Sequence, residues 1–171
     1  MKQDEIPIGS LIRNKLEEEG HSVRWLAQKI DCKRRNVYDI FNRTSIDTTQ
    51  LLKICLALKT NFFVYFSEKM TDQTEYAEFK KCNMIPLDEI HIGSLIKKTL
   101  EEDERFVKWL AEKIGCQPRN IYDIFKNRIS IDTAQLLSIC KALKTNFFEC
   151  FVMYCDKKLR SNSFEITIFD F

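Results

Sequence analysis

The chain has 171 residues, 44% hydrophobic and 30% charged, the balance of a folded globular protein and not of a disordered one. Lys and Arg number 27 against 25 Asp and Glu, so net charge does not announce a nucleic-acid partner and any basic surface has to be local. No apolar run approaches the roughly 18 residues of a membrane span, and Met1 is followed by polar and acidic residues without a signal-peptide pattern, so a cytoplasmic protein with no membrane partner is expected.

The apolar pattern has helical period almost throughout. Ile8, Leu11, Ile12 and Leu16 form one face of a first helix that ends near Gly20. Val23, Leu26, Ala27 and Ile30 follow the i, i+3, i+4, i+7 template, with Ser22 placed to cap a second helix. Val37, Ile40 and Phe41 mark a third, beginning near Lys33. Leu51, Ile54, Cys55 and Leu58 mark a fourth, entered through SIDTTQ, where Asp47 can cap and Gln50 can reach back. A short fifth helix starts at about Asn61.

The same series then recurs. Residues 8–42 match 92–126 at an offset of 84, and 45–66 match 130–151 at 85, with 38 of 57 aligned positions identical. A period this long, with a charged connector between copies, predicts two domains in series and not a stacked solenoid. The expected boundaries are a first domain at 6–68, a linker at 69–89, a second domain at 90–155 and a tail at 156–171. At this size each copy is near the lower limit for independent stability, so packing between copies or with another chain is expected. The tail SFEITIFDF is rich in β-formers and is open to reading as a short strand, although its alternation is imperfect.

The informative segments are LAQKIDCKRRNVYDIF and LAEKIGCQPRNIYDIF. Ala27 or Ala111 allows two helices to approach closely. Four residues later Asp31 or Gly115 stands where a turn requires positive φ, and six further on Val37 or Ile121 points into the core. With the flanking phrases WLAQKI, NVYDIF, SIDTTQLLKICLAL and TNFF, both copies resemble the phage lambda-repressor and Cro type of helix-turn-helix protein, the xenobiotic-response-element family of bacterial regulators. The resemblance implies an all-α chain of two tandem five-helix domains, each placing its third helix in the major groove of double-stranded DNA. It also implies base-facing roles for Lys33, Arg34, Arg35, Asn36 and Asp39, and for Gln117, Arg119, Asn120 and Asp123. The first copy departs from the family pattern at Asp31, where glycine is usual, and the second replaces the Ser22 cap by Phe106.

The chemistry of these positions agrees. Residues 24–43 carry six basic and two acidic side chains and residues 108–128 five and two, whereas EEE at 17–19 and EEDE at 101–104 fall on first helices. Arg35 and Arg119 can present a fork to guanine O6 and N7, and Asn36 and Asn120 match adenine N6 and N7. Asp39 and Asp123, four residues after those arginines, can orient the guanidinium or accept from cytosine N4. Arg24, Arg43, Lys108, Lys126 and Arg128 flank the unit as phosphate contacts. Lys33 and Arg34 become Gln117 and Pro118, so the second copy is stiffer and less basic at its tip, and two related, non-identical half-sites follow.

Tyr38 and Tyr122 read as packing more than as backbone contacts. Trp25 and Trp109 read as core cover, and His21 and His91 as surface residues. Seven cysteines fit no zinc or redox spacing and are expected as thiols, mostly buried, with Cys32 beside Lys33 the one position where redox sensing is conceivable. Phe62, Phe63 and Phe66, matched by Phe147, Phe148 and Phe151, exceed what one short helix buries against its own domain, so part of this surface should meet a partner. The geometries open to it are an intramolecular pseudo-dimer with recognition helices about 34 Å apart or a homodimer of chains. The expected function is sequence-specific DNA binding by a transcription regulator, a repressor more than an activator. The alternative is an antitoxin-like or partner-binding protein that uses its aromatic surface, with DNA binding secondary. An enzyme is not expected, nor a metal or cofactor, and no small-molecule effector is signalled.

Overall fold

Every regular element is a helix in the computed structural model, which describes residues 5–71, 91–126 and 130–168, with the backbone alone from 162. In chain order they are α1 (Ile8–Glu18), α2 (Val23–Lys29), α3 (Arg34–Phe41), α4 (Thr48–Ala57), α5 (Phe63–Thr71), α6 (Ile92–Glu102), α7 (Val107–Ile114), α8 (Pro118–Lys126), α9 (Thr133–Leu143) and α10 (Phe148–Ile168). The all-α expectation agrees with this. No helix among the described residues is long and apolar enough to cross a membrane.

Local chemistry accounts for most helix ends. Ser22 Oγ accepts from the Trp25 N–H at 3.1 Å to start α2. Asp47 Oδ1 accepts from Thr49 and Gln50 to start α4, and Asp132 Oδ1 accepts from Ala134 and Gln135 to start α9. His91, read from sequence as a surface residue, is half-buried, and its Nδ1 caps α6 by accepting from the Ser94 N–H at 3.1 Å. Helix α1 closes through Gly20 at φ 67°, where the His21 N–H reaches back to Leu16 O at 3.1 Å.

One expectation about the C-terminal region is corrected. Residues 163–168 do not form a strand but continue α10, whose 21 residues make it the longest of the described helices. Buried Phe148, Phe151 and Cys155 anchor its first two turns, and each added residue then gains a backbone hydrogen bond, which imperfect alternation does not outweigh. Residues 169–171 lie outside the described residues. Of the expected linker, Lys69, Met70 and Thr71 belong to α5, and the rest lies outside the described residues.

Contacts divide the chain into two units, Met1–Phe62 with Cys155–Phe171, and Phe63–Tyr154. In the first, α2 packs on α3 and α4, and α1 on α3. In the second, α7 packs on α8 and α9, and α6 on α8. The core of the first unit is built on Ile8, Ile12, Leu26, Val37, Ile40, Ile46, Leu51 and Ile54, all buried, and the second unit buries Ile92, Ile96, Leu110, Ile121, Leu136 and Ile139. Two glycines bring the helices of each unit into contact. A Cβ on Gly9 would lie 2.5 Å from Phe41 O, and one on Gly93 2.6 Å from Phe125 O. Hence only glycine lets the start of α1 meet the end of α3, and the start of α6 the end of α8.

All six phenylalanines of the TNFF segments are buried by this chain. Within the second unit Phe63 stacks on Phe151 with centroids 5.0 Å apart, and Phe66 on Phe148 at 4.9 Å. The same unit holds the Asn146 Nδ2 bond to Ser67 Oγ at 2.9 Å, and the first unit the Asn61 Nδ2 bond to Asp156 Oδ1 at 2.8 Å. The aromatic surface expected to meet a partner, either the other copy or a second chain, is therefore already buried in this chain. Cys55, Cys140 and Cys155 are buried and Cys32, Cys116 and Cys150 half-buried, all as free thiols.

Candidate nucleic-acid interface

The segments α2 to α3 and α7 to α8 share one construction. Each first helix ends on a residue in the left-handed region, Asp31 at φ 54° or Gly115 at φ 70°. One residue later the Cys32 N–H bonds to Ala27 O, and the Cys116 N–H to Ala111 O, both at 2.9 Å. This closes the first helix, and α3 follows after residues 30–33 and α8 after residues 115–117. Buried Val37 and Ile40, or Ile121 and Ile124, pin the new helix to the core, while Ala27 and Ala111, also buried, leave room for close approach.

The face opposite those anchors is polar and open. Lys33, Arg34, Arg35, Asn36 and Asp39 are all exposed, as are Gln117, Arg119, Asn120 and Asp123. Lys33 is the N-cap residue of α3 without a side-chain cap bond, and Pro118 opens α8, where its missing N–H is without consequence. Arg24, Arg43, Lys108 and Lys126 are exposed beside these helices, and Arg128 lies outside the described residues.

Charge pairing distinguishes the two faces. Among the described residues none of Arg24, Lys33, Arg34, Arg35 and Arg43 forms an ion pair. On the second face Lys108 lies 4.0 Å from Glu112, and Lys126 lies 3.7 Å from Asp123. The expected clasp of Arg35 by Asp39, and of Arg119 by Asp123, is not present. Asp123 turns to Lys126 one turn ahead, so these arginines keep their forks open to solvent.

Several side chains sit differently from the sequence reading. Tyr38 and Tyr122 are not packed away but are 56% and 54% exposed, each set edge-on to Phe41 or Phe125 with centroids 6.1 Å apart. They stand one position from Val37 and Ile121, on the turn where the helix passes from core to solvent, and both belong with the polar face. Trp25 is half-buried beneath His21, whose ring stacks on it at 3.7 Å, while Arg105 lies over Trp109 at 4.6 Å. Phe106, in the position of Ser22, makes no cap bond and is 82% exposed. Burial, reinforced by Asp31, pushes the Cys32 thiol up, and burial does the same to Cys116, which opposes thiolate reactivity at both. Comparison of the chain with protein-family models, with curated proteins and with solved structures finds no match.

Proposed function

We propose that this chain binds double-stranded DNA in a sequence-specific way through two tandem helix-turn-helix domains of the lambda-repressor and Cro type, and that it regulates transcription. The observation that carries the reading is the duplicated turn, which twice presents an exposed arginine and asparagine, Arg35 with Asn36 and Arg119 with Asn120, on a helix anchored by its opposite face. In this reading α3 and α8 enter the major groove, Arg and Asn read purines, and flanking Arg24, Arg43, Lys108 and Lys126 hold phosphates. Repression is the favoured sign, since domains of this size carry little apparatus for recruiting polymerase, and the bacterial cytoplasm is the corresponding compartment. With all six of these phenylalanines buried, the aromatic surface gives little support to an antitoxin-like partner-binding reading.

The two domains are proposed to contribute unequally. The unpaired Lys33, Arg34 and Arg35 face gives the first the larger share, whereas Gln117 and Pro118 supply no charge. The test is selection of bound sequences from a random duplex pool, followed by salt titration of the full chain and of its Arg35→Ala and Arg119→Ala variants. Each variant should lose roughly tenfold to a hundredfold in affinity and relax preference at one base position, with Arg35→Ala the more damaging. Micromolar, salt-insensitive binding without sequence preference would overturn the proposal.

A further inference from the structure

The fold gains nothing from Phe106. At the N-cap of α7 its side chain offers no oxygen to the helix, where the Ser22 hydroxyl in the first copy accepts from Trp25, so the helix start loses a cap. Its ring is 82% in water, so it contributes no burial either. It follows Glu104 and Arg105, the former held at φ 52°, in a tight turn that projects the ring outward.

What surrounds the ring indicates a use. Phe106 lines an open groove of about 660 Å³ in the second unit, together with Tyr122, Phe125, Lys97, Lys108 and Lys126. Each lysine has one acidic neighbour on its own helix, Glu101 at 3.9 Å, Glu112 at 4.0 Å and Asp123 at 3.7 Å, and all six groups are at least half exposed. Pairs so long and so wet are weak and exchange readily for a stronger anion. Cations spaced around an aromatic floor match a strand whose phosphates alternate with the apolar faces of deoxyriboses.

We infer that Phe106 packs against a deoxyribose of the DNA backbone while Lys97, Lys108 and Lys126 hold the adjoining phosphates. This rests on the DNA-binding reading above and gives the second domain an apolar anchor in place of the basic tip it lacks. Apolar contact releases no counterions, so its contribution is independent of salt.

The experiment is salt-titrated binding of the full chain, its Phe106→Ala and its Phe106→Leu variants to a duplex selected from the random pool. Phe106→Ala should bind about tenfold more weakly with an unchanged slope of log affinity against log salt, Phe106→Leu should retain most of the affinity, and both should melt within a few degrees of the parent. If the parent binds and Phe106→Ala binds equally well, the inference fails while the DNA reading stands. A weaker Phe106→Ala with an altered salt slope also overturns it, because the lost contact would then be ionic. If the parent itself binds no duplex, the underlying reading fails with it.

Discussion

The two repeats build the same pair of turns and place their strain in opposite ones. In the first copy the turn after α1 holds Gly20 and the turn after α2 holds Asp31; in the second the corresponding residues are Glu104 and Gly115. All four lie in the left-handed region, where a side chain costs about 1 kcal/mol and glycine almost nothing. Of these two turns each copy therefore has one relaxed and one strained, beside the left-handed Lys59 or Lys144 that both copies share, yet the closing bonds are the same: His21 to Leu16 and Arg105 to Leu100, then Cys32 to Ala27 and Cys116 to Ala111, all at 2.9–3.1 Å. The turn geometry is imposed by the packing of the helices it joins. The residue at the turn adjusts only how much stability remains.

The shared scaffold is where substitution should be most damaging and most even-handed. Gly9→Ala would drive a methyl into the backbone carbonyls of Ile40 and Phe41, and Gly93→Ala into those of Ile124 and Phe125, atoms that cannot rotate away. Each should lose about 3 kcal/mol in urea denaturation, the upper range for overpacking. A difference of more than about 1 kcal/mol between the two variants would break the equivalence of the repeats.

The strained turns offer a smaller effect of opposite sign. Asp31→Gly should stabilise the first copy and Glu104→Gly the second, each by about 0.5 kcal/mol, because relief of the left-handed strain is partly offset by the freedom glycine adds to the unfolded chain. The double variant should show the sum, as the two turns share no partner. A loss of stability in either single variant would mean that the acid makes a contact worth more than the strain.

Most of the helical scaffold was legible because buried residues recur at helical spacing and because caps such as Ser22, Asp47 and Asp132 stand directly before them. The turn at Asp31 and Gly115 was legible because two different residues tolerant of positive φ occupy one aligned position. Glu104 was not, since nothing local marks a glutamate as left-handed, and only its alignment with Gly20 carried that information. Nor was the extension of α10, where β-forming residues follow a helix already nucleated by buried aromatics. On the candidate interface, Lys33, Arg34, Arg35 and Arg119 followed from the family resemblance together with the local charge, and all four are exposed. The outward setting of Tyr38 and Tyr122, and the Asp123 pairing with Lys126, depend on rotamers that spacing does not specify.

That last pairing yields the smallest expected effect and the finest probe of the difference between the two faces. Lys126 and Asp123 are 78% and 60% exposed, so their 3.7 Å contact contributes at most about 0.5 kcal/mol to folding. Asp123→Asn should leave the melting temperature within about 2 °C of the parent. In DNA binding the same change acts twice in one direction, freeing a cation and removing an anion from a face where phosphates would approach. Affinity at low salt should rise severalfold, and the salt dependence should steepen by up to one counterion. Asp39→Asn in the first copy removes an anion but releases no paired lysine, since its neighbours there are already unpaired, so its slope should change less. Equal changes in slope for the two variants would mean that the ion pair on the second face does not persist in solution, and the electrostatic contrast between the repeats would then reduce to Lys33 and Arg34 against Gln117 and Pro118.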